Sequence, residues 1–420
     1  MTREDDRGLP LSTGSDAAAA CYRDGVARLL AARPGAEAAL SDAIAADPDF
    51  ALAHAALARA HQARGRAADA RAAMADAVAR VAGAPERERS HVDALSRVVA
   101  GDAAGAFAAI GAHLERWPRD VVVMAPCGGV FGLFGFSGLA GRERALRDFV
   151  EPFAPSLGDD WWYLATRAFA RGETGELAAA RADIERSLAI EPGNANGAHI
   201  HAHVLYEAGE DARAIDWLGR WLDGHPREGA MHGHLHWHLA LAQLAVGDAG
   251  AAWATYELAV APGATSSPPL NLVTDTASFL LRAALCGEPV PPGAWTALAA
   301  SSRTLYPQPG LAFADAHVAL ACAMACDADG LARLREGARG PAADVVVALA
   351  DAFAAFAGED WAGCFRALEP VLPVHERIGG SRAQRDLIEQ AAWVAVRRGE
   401  LDVAWRPRAS RPMPPGLRAG

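Results

Sequence analysis

The sequence predicts an all-α protein, built mainly from helix-turn-helix units about 36 residues long. Three observations predict it: a ladder of prolines, a ladder of glycines out of phase with it, and apolar residues at helical spacing between the rungs. The prolines are Pro48, Pro85, Pro118, Pro155, Pro192, Pro226 and Pro262. The glycines are Gly65, Gly101, Gly138, Gly172, Gly209 and Gly247. Glycine adopts the left-handed conformation that ends the first helix of a unit, and proline cannot continue the second. Between these marks lie helical stretches such as Glu176 to Ile190, with Ala and Leu recurring on one face.

Taken in order, residues 1–14 read as a polar N-terminal tail with no apolar stretch of the secretory kind. Residues 15–262 read as about seven helix pairs. The period, and a second helix of the form Ala-x3-large followed by a closing proline, match the tetratricopeptide repeat. The pattern is Ala36-x3-Leu40-x2-Ala43 before Pro48, Ala214-x3-Leu218-x2-Trp221 before Pro226, and Ala252-x3-Tyr256-x2-Ala259 before Pro262. Cys127 to Gly138 is rich in glycine and phenylalanine. It is expected in a helix slot, with its glycines allowing close helix packing and its phenylalanines in the core. Residues 263–405 form a less regular helical part that continues the stack. Its helices are expected at Leu272–Leu285, Trp295–Leu305, Gly310–Cys326, Ala342–Ala357, Trp361–Leu372 and Ser381–Arg398. Residues 406–420, rich in arginine and proline, read as a disordered tail.

Composition removes whole classes of function. The formal net charge is −11 and no basic block stands out, which speaks against nucleic acid as a partner. No apolar run reaches the roughly 18 residues of a membrane span. All 40 basic residues are arginine. Without lysine there is neither a Walker-type phosphate loop nor a pyridoxal Schiff base. The six cysteines contain no Cys-x-x-Cys pair, and Cys322 and Cys326, four apart, read as two small core residues on one helix face. Cytoplasmic residence is expected.

Several motifs resemble the tetratricopeptide repeat protein 38 family. Gly379-Gly-Ser-x-Ala-Gln-Arg-Asp386 is similar to the family's C-terminal motif. Phe313-Ala-Asp-Ala-His317 and Asp275-x2-Ser278-x3-Arg282 resemble two others. Arg87-Glu88-x2-His91, His199-x2-Ala202-His203 and His234-x2-Trp237-His238 complete a set that runs in order from about residue 15 to 395. The resemblance implies the helical repeat fold and assigns no catalytic role to any residue.

The densest chemistry is imidazole. His199, His201 and His203 fall in one first helix and His232, His234, His236 and His238 in the next, seven of 14 histidines in two helices. His199, His203, Tyr206 and Glu207 form one stripe, and His234, Trp237 and His238 form its counterpart on the neighbouring unit. In a tetratricopeptide superhelix such stripes face the concave groove. Two His-x3-His pairs side by side have the spacing to hold zinc or another transition metal, with Glu207 or Asp275 offsetting the charge. Hydrogen bonding within the groove wall and acid–base or ligand chemistry are the alternatives. Arg385 and Asp386 follow a Gly-Gly-Ser cap and read either as an anion anchor or as a bridge locking the last helix. Glu88 with His91, and Asp315 with His317, read as local pairs in which the acid orients the imidazole. If the coil closes, all of these meet in one polar pocket. The functions left open are a scaffold binding a protein, peptide or small ligand in its concave face, a metal-dependent hydrolase with an enclosed pocket, and a purely structural adaptor.

Overall fold

Tight turns join successive helices into hairpins, and the hairpins pack side by side in series. The computed structural model describes residues 3–407. Its regular hairpins are Asp16–Leu30 with Ala36–Ala46, Ala51–Ala63 with Ala67–Arg80, Glu86–Ala100 with Ala103–Arg116, Trp161–Glu173 with Leu177–Ile190, Ala195–Glu207 with Asp211–Leu222, and His232–Ala245 with Ala249–Ala259. The repeat pattern read in the second helices is their buried face: Ala36, Leu40 and Ala43 are buried, as are Ala214 and Leu218, and Ala252, Tyr256 and Ala259.

Five of the six ladder glycines take the left-handed conformation, with φ between +68° and +86°. Gly172 does not. The helix Trp161–Glu173 runs through it, and Gly175, at φ +90°, makes the turn instead.

The fourth unit departs further from expectation. Only Val121–Met124 is helical before the chain enters turns, and helix resumes at Arg142–Val150. The glycine-rich stretch is therefore not a close-packed helix. A Cβ at Gly135 would lie 2.0 Å from the Val130 carbonyl oxygen, and one at Gly132 would lie 2.5 Å from that of Gly128. Glycine is required by the folding of the loop on itself. Its phenylalanines are half-buried and ring-paired, Phe131 with Phe136 at 5.4 Å and Phe134 with Phe107 at 4.9 Å.

Hairpins continue beyond residue 263: Pro269–Leu285 with Ala294–Leu305, Ala312–Met324 with Ala328–Gly337, and Ala343–Ala357 with Trp361–Leu368. Ala328–Gly337 has no counterpart among the expected helices. It buries only Gly330, Leu331 and Leu334, too few for a periodic signal, and starts from the Asp327 side chain accepting the Gly330 N–H. Cys326 lies past the end of Ala312–Met324 at φ +56° and is exposed, while Cys322 is buried; the two do not share a helix face.

The polar N-terminal segment is not a free arm. Arg3–Glu4 and Pro10–Leu11 pair as an antiparallel hairpin that buries Leu9 and Leu11. Arg7 bridges to Asp160 at 2.9 Å. Arg406 and Pro407 fall outside any helix; the rest of the expected C-terminal tail lies outside the described residues.

First helices form the inside and second helices the outside. Ala195–Glu207 buries eleven of its 13 residues, whereas Leu177–Ile190 buries Ala180, Asp183, Ile184 and Ser187 alone. The row also turns back on itself. The Ala195 N–H donates to the Ala31 carbonyl at 2.9 Å, and Arg64 reaches the Glu228 carbonyl at 3.0 Å. Into this curl goes the last helix, Arg382–Arg398, with eleven of 17 residues buried. No described helix is long and apolar enough to cross a membrane.

If the last helix is core, truncating it must cost what a core residue costs. Ile388, 1% exposed, changed to Ala is expected to lower unfolding free energy by about 2–5 kcal/mol. Leu258→Ala, at a 60% exposed position, is expected to stay within about 0.5 kcal/mol. Urea denaturation of both variants checks the contrast.

Candidate metal centre

Ala195–Glu207 presents His199 and His203 one turn apart, and His232–Ala245 presents His234 and His238 in the same way. The two first helices are neighbours, so the four rings converge: one nitrogen from each lies within 4.8 Å of the others, and all four residues are buried. His199 Nε2 stands 2.7 Å from His203 Nε2 and 3.0 Å from His234 Nε2. On the far side of its ring, His234 Nδ1 is 2.8 Å from Asp275 Oδ2, on the helix Pro269–Leu285. A carboxylate there keeps the ring proton on Nδ1, so Nε2 turns its lone pair toward the other rings. A hydrogen on His199 Nε2 can serve one neighbour, leaving other nitrogens facing each other without a proton between them. His238 Nε2, also buried, has no hydrogen-bond partner. Burial, followed by the neighbouring imidazoles, holds His199 and His238 well below the usual histidine range. With His199 and His238 disfavoured as cations, the four converging ring nitrogens form a donor set of the kind that could hold a metal ion. The His199–His203 and His199–His234 separations, 2.7 and 3.0 Å, are shorter than the edge, about 3.3 Å, of a tetrahedron of nitrogens around zinc, and the four nitrogens as a set lie within 4.8 Å.

Trp237, expected on the groove surface, is fully buried and stacks flat on His234, ring centres 5.0 Å apart. His201 and His236 face away: His201 packs on Trp217 at 4.4 Å, and His236 turns to the His232 carbonyl.

One turn below His203, a charged cluster joins the last helix to the first helices. Glu207 meets Arg382 at 3.2 Å, and Tyr206 donates to Asp386 at 2.8 Å. Glu173 accepts the Arg382 N–H at 2.9 Å and lies 3.6 Å from Arg385. Arg385, 2% exposed, also bonds Glu143. At the Gly-Gly-Ser motif the structure has a cap and bridges from Arg385 to Glu143 and Glu173. Ser381 and Gln384 form a reciprocal capping box, and Arg385 bridges to acids that lock the helix. Glu143, Glu173, Arg142 and Arg382 gave no signal in the sequence, because they meet only when the last helix enters the curl.

The environment drives the two glutamates apart. Burial, then repulsion from Glu143 and Glu207, pushes the Glu173 carboxyl up to about 8, with Arg385 and Arg382 opposing. Burial also acts on Glu143, but Arg385 and Arg142 overcome it and hold that carboxyl below its usual range.

The pairs read at Glu88–His91 and Asp315–His317 do not form. Glu88 accepts instead from the Ser12 N–H at 2.8 Å and the Ser12 hydroxyl at 2.6 Å, both in the docked N-terminal segment. His91 turns to Asp120, which sequence reasoning missed along with His113. Asp120 Oδ2 gathers Arg87 at 2.8 Å, His91 at 2.9 Å and His113 at 3.2 Å. Burial raises the Asp120 carboxyl, but these three partners outweigh it and hold it well below the usual range. A guanidinium on the same oxygen makes this a charge-balanced hub, where the histidine quartet has no cation of its own. Asp315 accepts the Gly310 N–H at 2.8 Å, and His317 turns to the Phe313 carbonyl at 2.8 Å. Two apart on a helix, they point different ways. Glu207, one turn from His203 on the same helix, meets the start of the last helix through Arg382, whereas His91 belongs to the Asp120 hub and Glu88 to the Ser12 contact.

No protein-family model matches the chain.

The raised Glu173 carboxyl has a definite pH signature. Its folded value, about 8, lies above the unfolded value near 4.5, so the stability it contributes is complete below pH ~4.5 and lost as pH rises toward 8. Glu173→Gln carries no such loss. The stability of this variant relative to wild type is expected to climb with pH across that window, by up to about 1.4 kcal/mol per unit. A flat difference between pH ~5 and ~8 in urea titrations would contradict the assignment.

Proposed function

We propose that the protein is a tetratricopeptide-type helical repeat that holds one transition-metal ion of the zinc class in its interior, through His199, His203, His234 and His238. The observation that carries this reading is the convergence of four buried imidazoles, one of them oriented from behind by Asp275. Zinc supplies a Lewis-acidic dication when bound there. His199, His203, His234 and His238 would bind it, and Asp275 would fix the His234 ring and offset part of the charge. Six free cysteines support a reducing compartment, and cytoplasmic residence belongs to the same proposal.

The enclosed-site reading is favoured over a peptide groove because the chain's own helix, Arg382–Arg398, occupies the inner side of the curl. A second reading, a metal-dependent hydrolase, draws on the split between Glu173 and Glu143. Paired carboxyls held on opposite sides of neutrality are arranged as a general acid and a base are. Four protein ligands complete a tetrahedron, so hydrolysis would require a fifth position at the ion. Hydrolytic activity unaffected by chelation would remove the second reading and leave the first intact.

Elemental mass spectrometry of untagged protein tests the metal. About one ion per chain is expected, lost in His199→Ala and in His238→Ala, with Asp275→Asn weakening affinity by about 10–100-fold. Protein grown with added zinc, correctly folded and still metal-free, would overturn the proposal.

A further inference from the structure

Two residues of opposite charge on the helix Pro269–Leu285 reach the helix that carries His234 and His238. Asp275 meets His234 Nδ1 at 2.8 Å. Arg282 follows two turns later on the same helix face. Its guanidinium lies over the Trp237 ring, 5.7 Å from the ring centre, and Trp237 stacks flat on His234 with centres 5.0 Å apart. These two steps, 5.7 and 5.0 Å, keep the Arg282 charge within about 11 Å of the His234 ring. Both contacts are made to a fully buried indole, where little water is present to screen the charge.

Nothing that Arg282 touches makes use of that charge. The side chain, on a residue 4% exposed, ties down the last helix through the Ala383 carbonyl and through Gln390 at 3.3 Å. Both partners are neutral. Among the described residues Arg282 makes no ion pair, and its Nη1 is buried without a hydrogen-bond partner. Glu207, one turn beyond His203, is paired with Arg382 instead. A neutral donor would serve a carbonyl and an amide at a smaller desolvation cost. The charge itself therefore calls for an account.

We propose that Arg282 sets the affinity of the histidine quartet for its ion: the unpaired guanidinium opposes an incoming dication and offsets the attraction of Asp275, so that the ion is held exchangeably. This inference rests on the reading of the quartet as a metal centre. Repulsion between the guanidinium and the ion scales with the charge of the ion. A unit charge at about 11 Å, acting through an effective dielectric of about 20, changes the affinity for a dication by more than tenfold. For a monovalent ion the factor is about the square root of that.

The test is titration of the metal-stripped full chain with zinc and with silver(I), a monovalent ion that imidazoles also bind, each against a competing chelator. Wild type is compared with Arg282→Gln, Arg282→Met and Arg282→Lys, and melting curves establish which variants are folded. The two neutral variants are expected to bind zinc at least about tenfold more tightly than wild type, and to gain for silver about the square root of their gain for zinc. Arg282→Lys, which keeps the charge, is expected to stay within about threefold of wild type. A residue that only supported the fold would, when changed, weaken both ions. Weaker or unchanged zinc binding in a folded neutral variant, equal gains for zinc and silver, or a lysine variant that matches glutamine would each overturn the proposal. Zinc held equally by wild type and the neutral variants overturns this inference alone. Zinc bound by no folded chain overturns it together with the metal reading.

Discussion

The structure depends on burying one charged helix end. Arg382 and Arg385 enter the interior at the start of the last helix, and a guanidinium is stable there only where carboxylates and carbonyls meet it. Glu143, Glu173 and Glu207 come from three different helices: Glu143 pairs with Arg385, Glu207 with Arg382, and Glu173 meets both. That requirement fixes how far the row of hairpins must curl. It also turns what would have been a concave surface into an interior. Inner helices such as Ala195–Glu207 are consequently buried nearly all round, histidines included, while second helices such as Leu177–Ile190 keep one buried stripe.

Enclosure determines the chemistry of everything on the inner face. On an open groove, histidines would titrate near neutrality. Here His199 and His238 lose water and stand beside other imidazoles, so neither takes a proton readily. The molecule handles its two buried histidine clusters in opposite ways. Around Asp120, a carboxylate and the Arg87 guanidinium balance each other, and His91 and His113 complete the hydrogen bonds. In the quartet, the Asp275 carboxylate lies behind His234, on the far side of that ring from the other imidazoles. The first arrangement is charge-balanced, with His91 Nε2 left buried without a hydrogen-bond partner, and the second brings four ring nitrogens within 4.8 Å of one another.

Local features were legible in the sequence and the closure was not. Helix punctuation and the buried face of the second helices follow from spacing alone, because they are fixed within one hairpin. The quartet was legible for the same reason: each pair is four apart, and neighbouring units bring the pairs together. Gly172 and Gly175 both lie near the end of one helix, and periodicity could not choose between them. Glu88 sits three residues before His91 on one helix, which made it the natural partner. The N-terminal hairpin claims it through Ser12, and Asp120 takes its place across a turn. His113 and Asp120 converge only through that turn. Glu143 and Glu173 acquire a role only when a helix more than 200 residues later settles against them.

Two adjacent glycines control that settling. Gly379 and Gly380 both adopt positive φ, +96° and +74°, immediately before the Ser381 cap. A Cβ at Gly380 would lie 2.2 Å from the Phe313 ring, and one at Gly379 would lie 3.0 Å from the Gly135 carbonyl. A side chain is excluded both by conformation and by space. The loop that carries Gly135, the helix that carries His317 and the start of the last helix therefore meet at one point. Arg142 fastens the same point, through the Glu376 and Gly380 carbonyls. Position at this junction sets where Gln384 and Arg385 fall relative to Arg282, and where Arg382 falls relative to Glu207. The glycine pair is thus part of the charged cluster's geometry, although it carries no functional group of its own.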